Sequence, residues 1–485
     1  MRTAAPAGRI DDTSAIDARP GKQHSLWRHT GMDTQQMTDI VPPPETALVR
    51  HLDTRLSPDP SRTVLRPFSP SDAEAFADPD RPRARRVVER LLALGDDLLA
   101  REVDRLLVPL RERHRDLDHL LLDRFEEVAR DLPIAHDAND GQRLLIGAYF
   151  SQEYAFESAA LFNPSIVRHP DQGGVADGDL RFVLGLRGIG EGHTSSLTFR
   201  TGVWRADGSV AIDPPGRLAI GPRLRQETLP NGRMLAHLDY TGSRDISETV
   251  IYPFLPSQGR GVEDVRLVEF TDGEGRATYR GTFTAFSGSD VRQGLAQTSD
   301  FQTFELRGVE GDLYAGKGMA LFPRMIGGRY AMLSRQDNES VWLVFSDDLY
   351  QWSGGEKLLS PEQPWEAVQM GNCGSPIEIE EGFLVLTHGV GGVRNYCLGA
   401  ALLDRDDPSR VIGRLAEPLL EPTEERDGYV PNVVYTCGAL ARGRTLLLPF
   451  AVADSFTRFA EVSLDALIAR MTPRGTKVGA GDRRA

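Results

Sequence analysis

Six consecutive residues, Gly261-Val262-Glu263-Asp264-Val265-Arg266, place two adjacent carboxylates and a guanidinium in a glycine-rich stretch with strand character. A carboxyl flanked by a second acid and a cation can be held in one orientation with its proton affinity tuned, as general acid catalysis requires. The same spacing also suits a solvated turn with a local ion pair, so its meaning depends on its surroundings. A second stretch, Gly188-Ile189-Gly190-Glu191-Gly192-His193, looks like a phosphate-cradling loop. However, His193 stands where GxGxxG needs glycine, and no βαβ pattern surrounds it. His193 and the hydroxyls of Ser195 and Ser196 are instead candidates to reach a ligand from a turn. The sequence holds no HExxH, EF-hand loop or GxSxG, so zinc hydrolysis, calcium binding and a nucleophile-elbow serine are unsupported.

These residues need a scaffold, and the chain changes texture twice in supplying one. At 485 residues, 40% hydrophobic and 26% charged, it suits one large soluble domain with an appendage. Residues 1–45 are rich in Ala, Pro, Gly and charge and read as a disordered tail, as do 473–485. Residues 46–160 read as a helical extension. Val88, Leu91, Leu92, Leu98, Leu99, Val103, Leu106, Leu107 and Leu110 share one face of a helix that Pro109 ends or kinks. Leu117, Leu120, Leu121, Phe125 and Val128 continue in a second helix, and a third runs from about Gln142 to Ala160. This extension is a candidate surface for homo-oligomer formation.

After Asn163 the pattern becomes short alternating runs between turns: Arg181–Leu186, Ser196–Phe199, Thr249–Phe254, Arg266–Phe270, Thr278–Phe286, Tyr330–Leu333, Val341–Phe345, Phe383–Thr387 and Thr445–Phe450. Ser299-Asp300-Phe301-Gln302-Thr303-Phe304 echoes Asp347-Asp348-Leu349-Tyr350-Gln351-Trp352, which gives an internal spacing of 48 residues between Asp300 and Asp348. Short strands repeating at that interval suggest propeller blades, with a sandwich or barrel as the other arrangements. The formal charge of -14 argues against nucleic acid and anionic membranes as partners. Cys373, Cys397 and Cys437 are dispersed and form no CxxC pair, so neither a disulfide framework nor a zinc site is indicated. With no apolar leader and no apolar run of about 18 residues, the expected location is the cytoplasm.

Seven dispersed motifs then fall into one order: Asn163-Pro164-Ser165, Glu263-Asp264-Val265-Arg266, Leu321-Phe322-Pro323-Arg324, Leu398-Gly399-Ala400-Ala401-Leu402-Leu403-Asp404, Asp406-Asp407-Pro408-Ser409, Val430-Pro431-Asn432-Val433-Val434 and Ala453-Asp454. The series resembles the β-mannoside phosphorylases and hydrolases of glycoside hydrolase family 130, over roughly residues 145–470. The resemblance implies an all-β core, a five-bladed β-propeller over 161–472, and a manno-oligosaccharide substrate. It implies Asp264 as general acid, protonating the glycosidic oxygen through a hydroxyl of the mannosyl ring. Asn163, Arg187 and Asp454 would hold the sugar, and Glu263 and Arg266 would orient Asp264. The family usually has proline where this chain has Val265, a change in turn rigidity more than in chemistry.

The reaction turns on the opposite side of the sugar. Lys317 and Arg335 align with positions that bind inorganic phosphate as co-substrate in the family's phosphorylases, His388 aligns with another polar contact on the phosphate or base side, and Arg394 could join them. No other cofactor and no metal is implied. The phosphorylases commonly carry lysine within Pro-x-Lys-Thr, whereas this chain reads Pro376-Ile377-Glu378-Ile379. A carboxylate there would repel a phosphate dianion and could serve as the general base of an inverting hydrolase, with Asp337 and Glu339 adding to an acidic pocket. The expectation is therefore an inverting β-mannosidase with Asp264 as acid and Glu378 as base. The alternatives are a β-mannoside phosphorylase and, more remotely, a non-catalytic carbohydrate-binding propeller.

Overall fold

The computed structural model describes residues 47–474, apart from 254–257, 260, 289, 314–315 and 423–427. The tail expected at 1–45 lies outside the described residues, as does all but the start of the one expected at 473–485. Strands β1 (Val49–Leu56) and β2 (Thr63–Pro67) come first, followed by helices α1 (Arg83–Leu92), α2 (Asp96–Arg111), α3 (Leu117–Asp131) and α4 (Asp140–Tyr149), then β3 (Ser151–Ala155). The long helix expected from the leucine spacing is thus two, separated at 93–95. Pro109 sits in the last turn of α2, where the helix runs only two residues further. The third helix stops at Tyr149 rather than Ala160, and the chain turns into β3, which pairs with β2. A capping box between Asn139 and Gln142 fixes its start. Leu91, Leu99, Phe125, Val128, Leu145 and Ile146 form the helical core. At Gly147 a Cβ would lie 2.0 Å from the Leu121 carbonyl oxygen, so α3 and α4 approach this closely only because glycine stands there. Among the described residues no helix is long and apolar enough to cross a membrane.

The remainder is almost entirely antiparallel sheet. The first set is β4 (Ala160–Arg168), β5 (Leu180–Ile189), β6 (Ser195–Trp204) and β7 (Val210–Ile212). A hairpin of β8 (Arg223–Thr228) and β9 (Met234–Asp239) and the short β10 (Val250–Ile251) precede the second set. That set is β11 (Gly261–Thr271), β12 (Ala277–Phe286), β13 (Val291–Thr298) and β14 (Thr303–Gly308). A single parallel bridge between Gly261 and Ser195 joins both sets into one eleven-stranded sheet. Next come β15 (Ala320–Leu321), β16 (Tyr330–Ser334), β17 (Val341–Ser346) and β18 (Glu356–Leu359), a four-stranded sheet. A six-stranded sheet uses β19 (Gln369–Asn372), β20 (Ile377–Ile379), β21 (Gly382–Val390), β22 (Tyr396–Leu403), β23 (Val411–Arg414) and, at its edge, β28 (Thr472–Pro473). The last contains β24 (Val434–Tyr435), β25 (Leu440–Arg442), β26 (Thr445–Val452) and β27 (Phe456–Ser463), with β1 from the other end of the chain paired to β27. Sheet structure therefore begins at Val49, ahead of the helices, and not first at 161.

Apolar faces pack sheet on sheet in chain order. Val167, Val183 and Phe199 meet Val265, Leu267 and Phe283. Phe270 and Leu295 meet Met332 and Trp352. Leu333 and Val341 meet Phe383 and Leu403, and Leu384 and Leu402 meet Leu446 and Val462. Phe182 and Leu184 meet Leu447 and Phe459, which brings the last set back onto the first. The repeated Asp300 and Asp348 segments occupy the same place in two sheets, the turn between third and fourth strands. Their carboxylates accept backbone N–H groups two residues on, and Phe301 and Trp352 plug the turns from inside.

Candidate active site

Two strands are interrupted at their functional residues. The β4–β5 register shifts between Phe162 and Ser165, and the β11–β12 register between Glu263 and Arg266. Each shift is a bulge that re-aims one side chain: Asn163 has φ 48 and Asp264 φ 53, the left-handed region that Asn and Asp tolerate better than most residues. Asp454 (φ 50) sits in the β26–β27 hairpin and Arg394 (φ 54) in the β21–β22 hairpin.

These turns bring a polar cluster together. Asn163 Nδ2 donates to Asp264 Oδ1 at 2.7 Å, and Arg187 Nη1 donates to the same oxygen at 3.3 Å. Arg187 also donates through Nη2 to Glu263 Oε1 (2.8 Å) and through Nε to Ser195 Oγ (2.9 Å). Lys317 Nζ donates to Glu263 Oε2 at 2.9 Å. Glu263 therefore acts on Asp264 by holding two cations beside it. Arg266, fully buried, donates from Nη1 to the Asp264 backbone oxygen (3.0 Å), from Nε to the Cys373 carbonyl (2.8 Å) and from Nη2 to Tyr435 Oη (3.1 Å). It fixes the bulge, not the carboxylate. Ser196 is buried beside these residues.

A second group adjoins the first at Cys373 and Tyr435. Arg335 Nη1 donates to His388 Nε2 at 3.1 Å, and the imidazole lies 5.1 Å from the Tyr435 ring. Room for this pair comes from two glycines. A Cβ on Gly371 would fall 2.2 Å from Arg335 Cδ and 2.6 Å from His388 Cε1, and one on Gly318, next to Lys317, 2.8 Å from Arg335 Nε. Burial and then the Arg335 and Arg266 guanidiniums hold the His388 pKa well below the usual histidine value, so the ring is neutral. Arg335 Nε, Asn163 Oδ1 and Asn372 Oδ1 are buried without a hydrogen-bond partner among the described residues. Three such atoms around one cluster are what a site built for a polar ligand contains.

The two aspartates are set apart electrostatically. Burial works against ionisation of Asp264, but Arg187, Arg266, the Asn163 amide and Lys317 outweigh it and hold its pKa below the ordinary value. Burial and then the Asp264 carboxylate push Asp454 up to about 6, with Arg187 and Arg394 opposing. In the ligand-free protein the proton therefore resides on Asp454 before Asp264.

Some expected residues lie elsewhere. Glu378 stands on β20 opposite Phe383, in a two-bond pair with Arg324 at 2.9 Å each. His388 is five residues further along β21, about 17 Å at strand rise, so the structure does not bring Glu378 together with His388 and Arg335. Asp337 is bound to Lys357 (2.9 Å) and to the Glu339 and Ser340 backbone N–H groups, and Glu339 is exposed. No acidic pocket forms there. His193 is exposed, with its ring against Tyr429, and makes no hydrogen bond to Asp264 or Arg187 among the described residues. Tyr435 and Asn372 join the cluster without a sequence expectation behind them, and Cys373 joins it as a buried neighbour. Gly371 and Gly374, on either side of Asn372 and Cys373, are the one local sequence signal for that pair.

A family model described as beta-1,4-mannooligosaccharide phosphorylase matches residues 239–472. The chain is 35% identical to a 1,2-beta-oligomannan phosphorylase of Thermoanaerobacter sp. (strain X514), over 49% of this chain and 80% of that protein. It is 33% identical to a beta-1,2-mannobiose phosphorylase of Listeria innocua serovar 6a, over 45% and 62% respectively. The solved Listeria innocua beta-1,2-mannobiose phosphorylase complex aligns with TM-score 0.47 and 22% identity, covering 66% of this chain and 93% of that one.

Proposed function

The chain belongs to glycoside hydrolase family 130, and from that premise we propose that it is an inverting β-mannoside phosphorylase built on a five-bladed β-propeller. The cyclic packing of successive sheets, with β1 completing the last, supports the propeller reading. One observation favours phosphorolysis over hydrolysis: Lys317 stands in the Asp264 cluster and Arg335, paired with the neutral His388, in the group that adjoins it, whereas Glu378 is paired with Arg324 at the far end of its sheet. The names of the similar proteins agree with that choice. They favour the phosphorylase alternative over the hydrolase expectation drawn from the missing Pro-x-Lys-Thr lysine.

Asn163, Arg187 and Asp454 offer amide, guanidinium and carboxyl groups to the hydroxyls of the mannosyl ring. Phosphate held by Lys317 and Arg335, with Arg335 Nε as a ready donor, attacks the anomeric carbon opposite the leaving oxygen. The carbon–oxygen bond breaks, the leaving sugar takes a proton from Asp264 by way of a ring hydroxyl, and mannose 1-phosphate forms with inversion. The proton lost from the phosphate then restores Asp264. Asp264 is too acidic for this in the free protein, but a bound dianion counters the cations that depress it and raises its proton affinity. Substrate binding thereby arms the acid.

The test is turnover of β-1,2- and β-1,4-linked mannobiose with and without inorganic phosphate, with mannose 1-phosphate and free mannose assayed separately. Phosphate-dependent mannose 1-phosphate is expected. Mannose released equally without phosphate would overturn the reading in favour of a hydrolase.

A further inference from the structure

Tyr429 is 68% exposed and lies beside the turn that carries Asp454. Its backbone is held to the hairpin that carries Asp454. Tyr429 N–H donates to Ser455 Oγ at 2.8 Å and Val430 N–H to the Ala453 carbonyl at 3.0 Å, one bond on each side of Asp454. Gly428 permits this approach, since a Cβ there would come within 2.4 Å of Ala453 Cβ. The His193 ring packs against Tyr429, with centroids 5.5 Å apart and planes tilted by 31°. His193 is itself held in a tight turn. Its N–H donates to Gly190 O (3.2 Å), Gly190 N–H donates to Thr194 O (3.2 Å), and Tyr154 Oη donates to that same oxygen (3.0 Å). The two loops that carry these rings are thus each held by backbone bonds, and much of the Tyr429 side chain is left uncovered.

Building such a surface in water has a cost that a ligand can offset. A pyranose has one face of C–H groups that packs on an aromatic ring while its hydroxyls stay solvated or hydrogen-bonded. The proposed function assigns Asn163, Arg187, Asp264 and Asp454 to the ring whose bond is cleaved, so an exposed aromatic side chain beside Asp454 falls to the next sugar. We infer that Tyr429, braced by His193, is the stacking platform for the sugar on the leaving side of the scissile bond and governs its affinity. The inference rests on the phosphorylase reading. Because the platform is held in place before binding, little ordering cost is charged against the contact.

The test measures the synthetic direction, in which mannose 1-phosphate and an acceptor mannose have separate KM values. Tyr429→Ala is expected to raise the acceptor KM about three- to tenfold, the scale of one aromatic contact, with the mannose 1-phosphate KM unchanged. Tyr429→Phe keeps the ring and restores the acceptor KM, while His193→Ala gives a smaller rise. An unchanged acceptor KM in Tyr429→Ala, or a parallel rise in both KM values, overturns the inference. If the wild-type protein makes no mannose 1-phosphate, the phosphorylase reading falls by itself. Calorimetric titration of mannobiose into Asp264→Asn and Asp264→Asn/Tyr429→Ala then decides the platform: weaker binding in the double variant supports it, and equal binding refutes it.

Discussion

Asp264 and Asp454 share one cluster yet hold their protons differently, and each difference is measurable. Asp264→Asn keeps the hydrogen-bonding shape but removes the acid, so kcat should fall about 10²- to 10⁴-fold while mannobiose still binds. Calorimetric binding beside turnover checks both halves. For Asp454 the sign follows from linkage. Its pKa is about 6 when folded and about 4 when unfolded, so the folded state binds the proton more tightly. The resulting stability is fully present below the unfolded value and is lost as pH rises through about 6. Asp454→Asn removes this dependence, so its melting temperature should gain on that of the wild type between pH 4 and 6 and hold the gain above. A difference that stays flat across that range would show that Asp454 titrates normally. Glu378→Gln should leave phosphorolysis unchanged and cost only a small part of a half-exposed ion pair, under about 1 kcal/mol. Lost turnover in that variant would return Glu378 to the site.

At the scale of elements, the bulge in β11 depends on what lies beneath it. A Cβ at Gly281 would meet Val265 Cγ2 at 2.7 Å and Leu267 Cδ1's partner methyl, Cδ2, at 2.9 Å, so Gly281→Ala must push the bulge that carries Asp264. The expected cost is about 1–3 kcal/mol of stability together with lower kcat/KM, read by denaturant unfolding and steady-state kinetics. Unchanged kinetics would mean that Asp264 does not depend on this support. The strands themselves were legible. Runs such as Thr278–Phe286 alternate and are bounded by glycine turns, Asp272-Gly273 before this one and Ser287-Gly288 after it, and they lie inside β12 and its neighbours. The bulges were not, because one extra residue in a strand leaves no mark except an Asn or Asp where a strand would avoid one. The third helix was drawn too long because Phe150, Tyr154 and Phe156 extend an apolar pattern that a strand satisfies equally well. That Asp264, Arg187, Asn163 and Asp454 belong to one cluster is legible only through a family resemblance, since no local spacing joins residues from separate sheets. Glu378 was misplaced for the same reason: alignment gives a residue's order in the chain, not the end of the strand it occupies.

Across the whole molecule, the β2–β3 pair that brackets the helices is tied to the β6 sheet by buried charge. Glu157, without exposed surface, is bound by Arg62 at 3.2 Å and by Arg200 at 2.5 Å. Arg62 also donates to Thr198 in β6 and to the Ser247 carbonyl. Glu157→Gln would leave two guanidiniums buried with no anion between them. The expected loss is about 3–5 kcal/mol, measured by urea unfolding, because removing one partner of a buried pair strands the other. A loss below 1 kcal/mol would mean that water reaches the arginines.

The pairing of β1 with β27 also sets a timetable. Arg50 and Glu461, bonded across that pair, are 411 residues apart. At 5–20 residues per second, β1 leaves the ribosome on the order of 20–80 s before its partner strand exists. Throughout that interval it presents an unpaired edge to every other nascent chain nearby. Arg50, His51, Asp53 and Arg55 make it a charged edge, the kind that resists the wrong partner. The charges that hide β1 from a search for strands are the ones that let it wait.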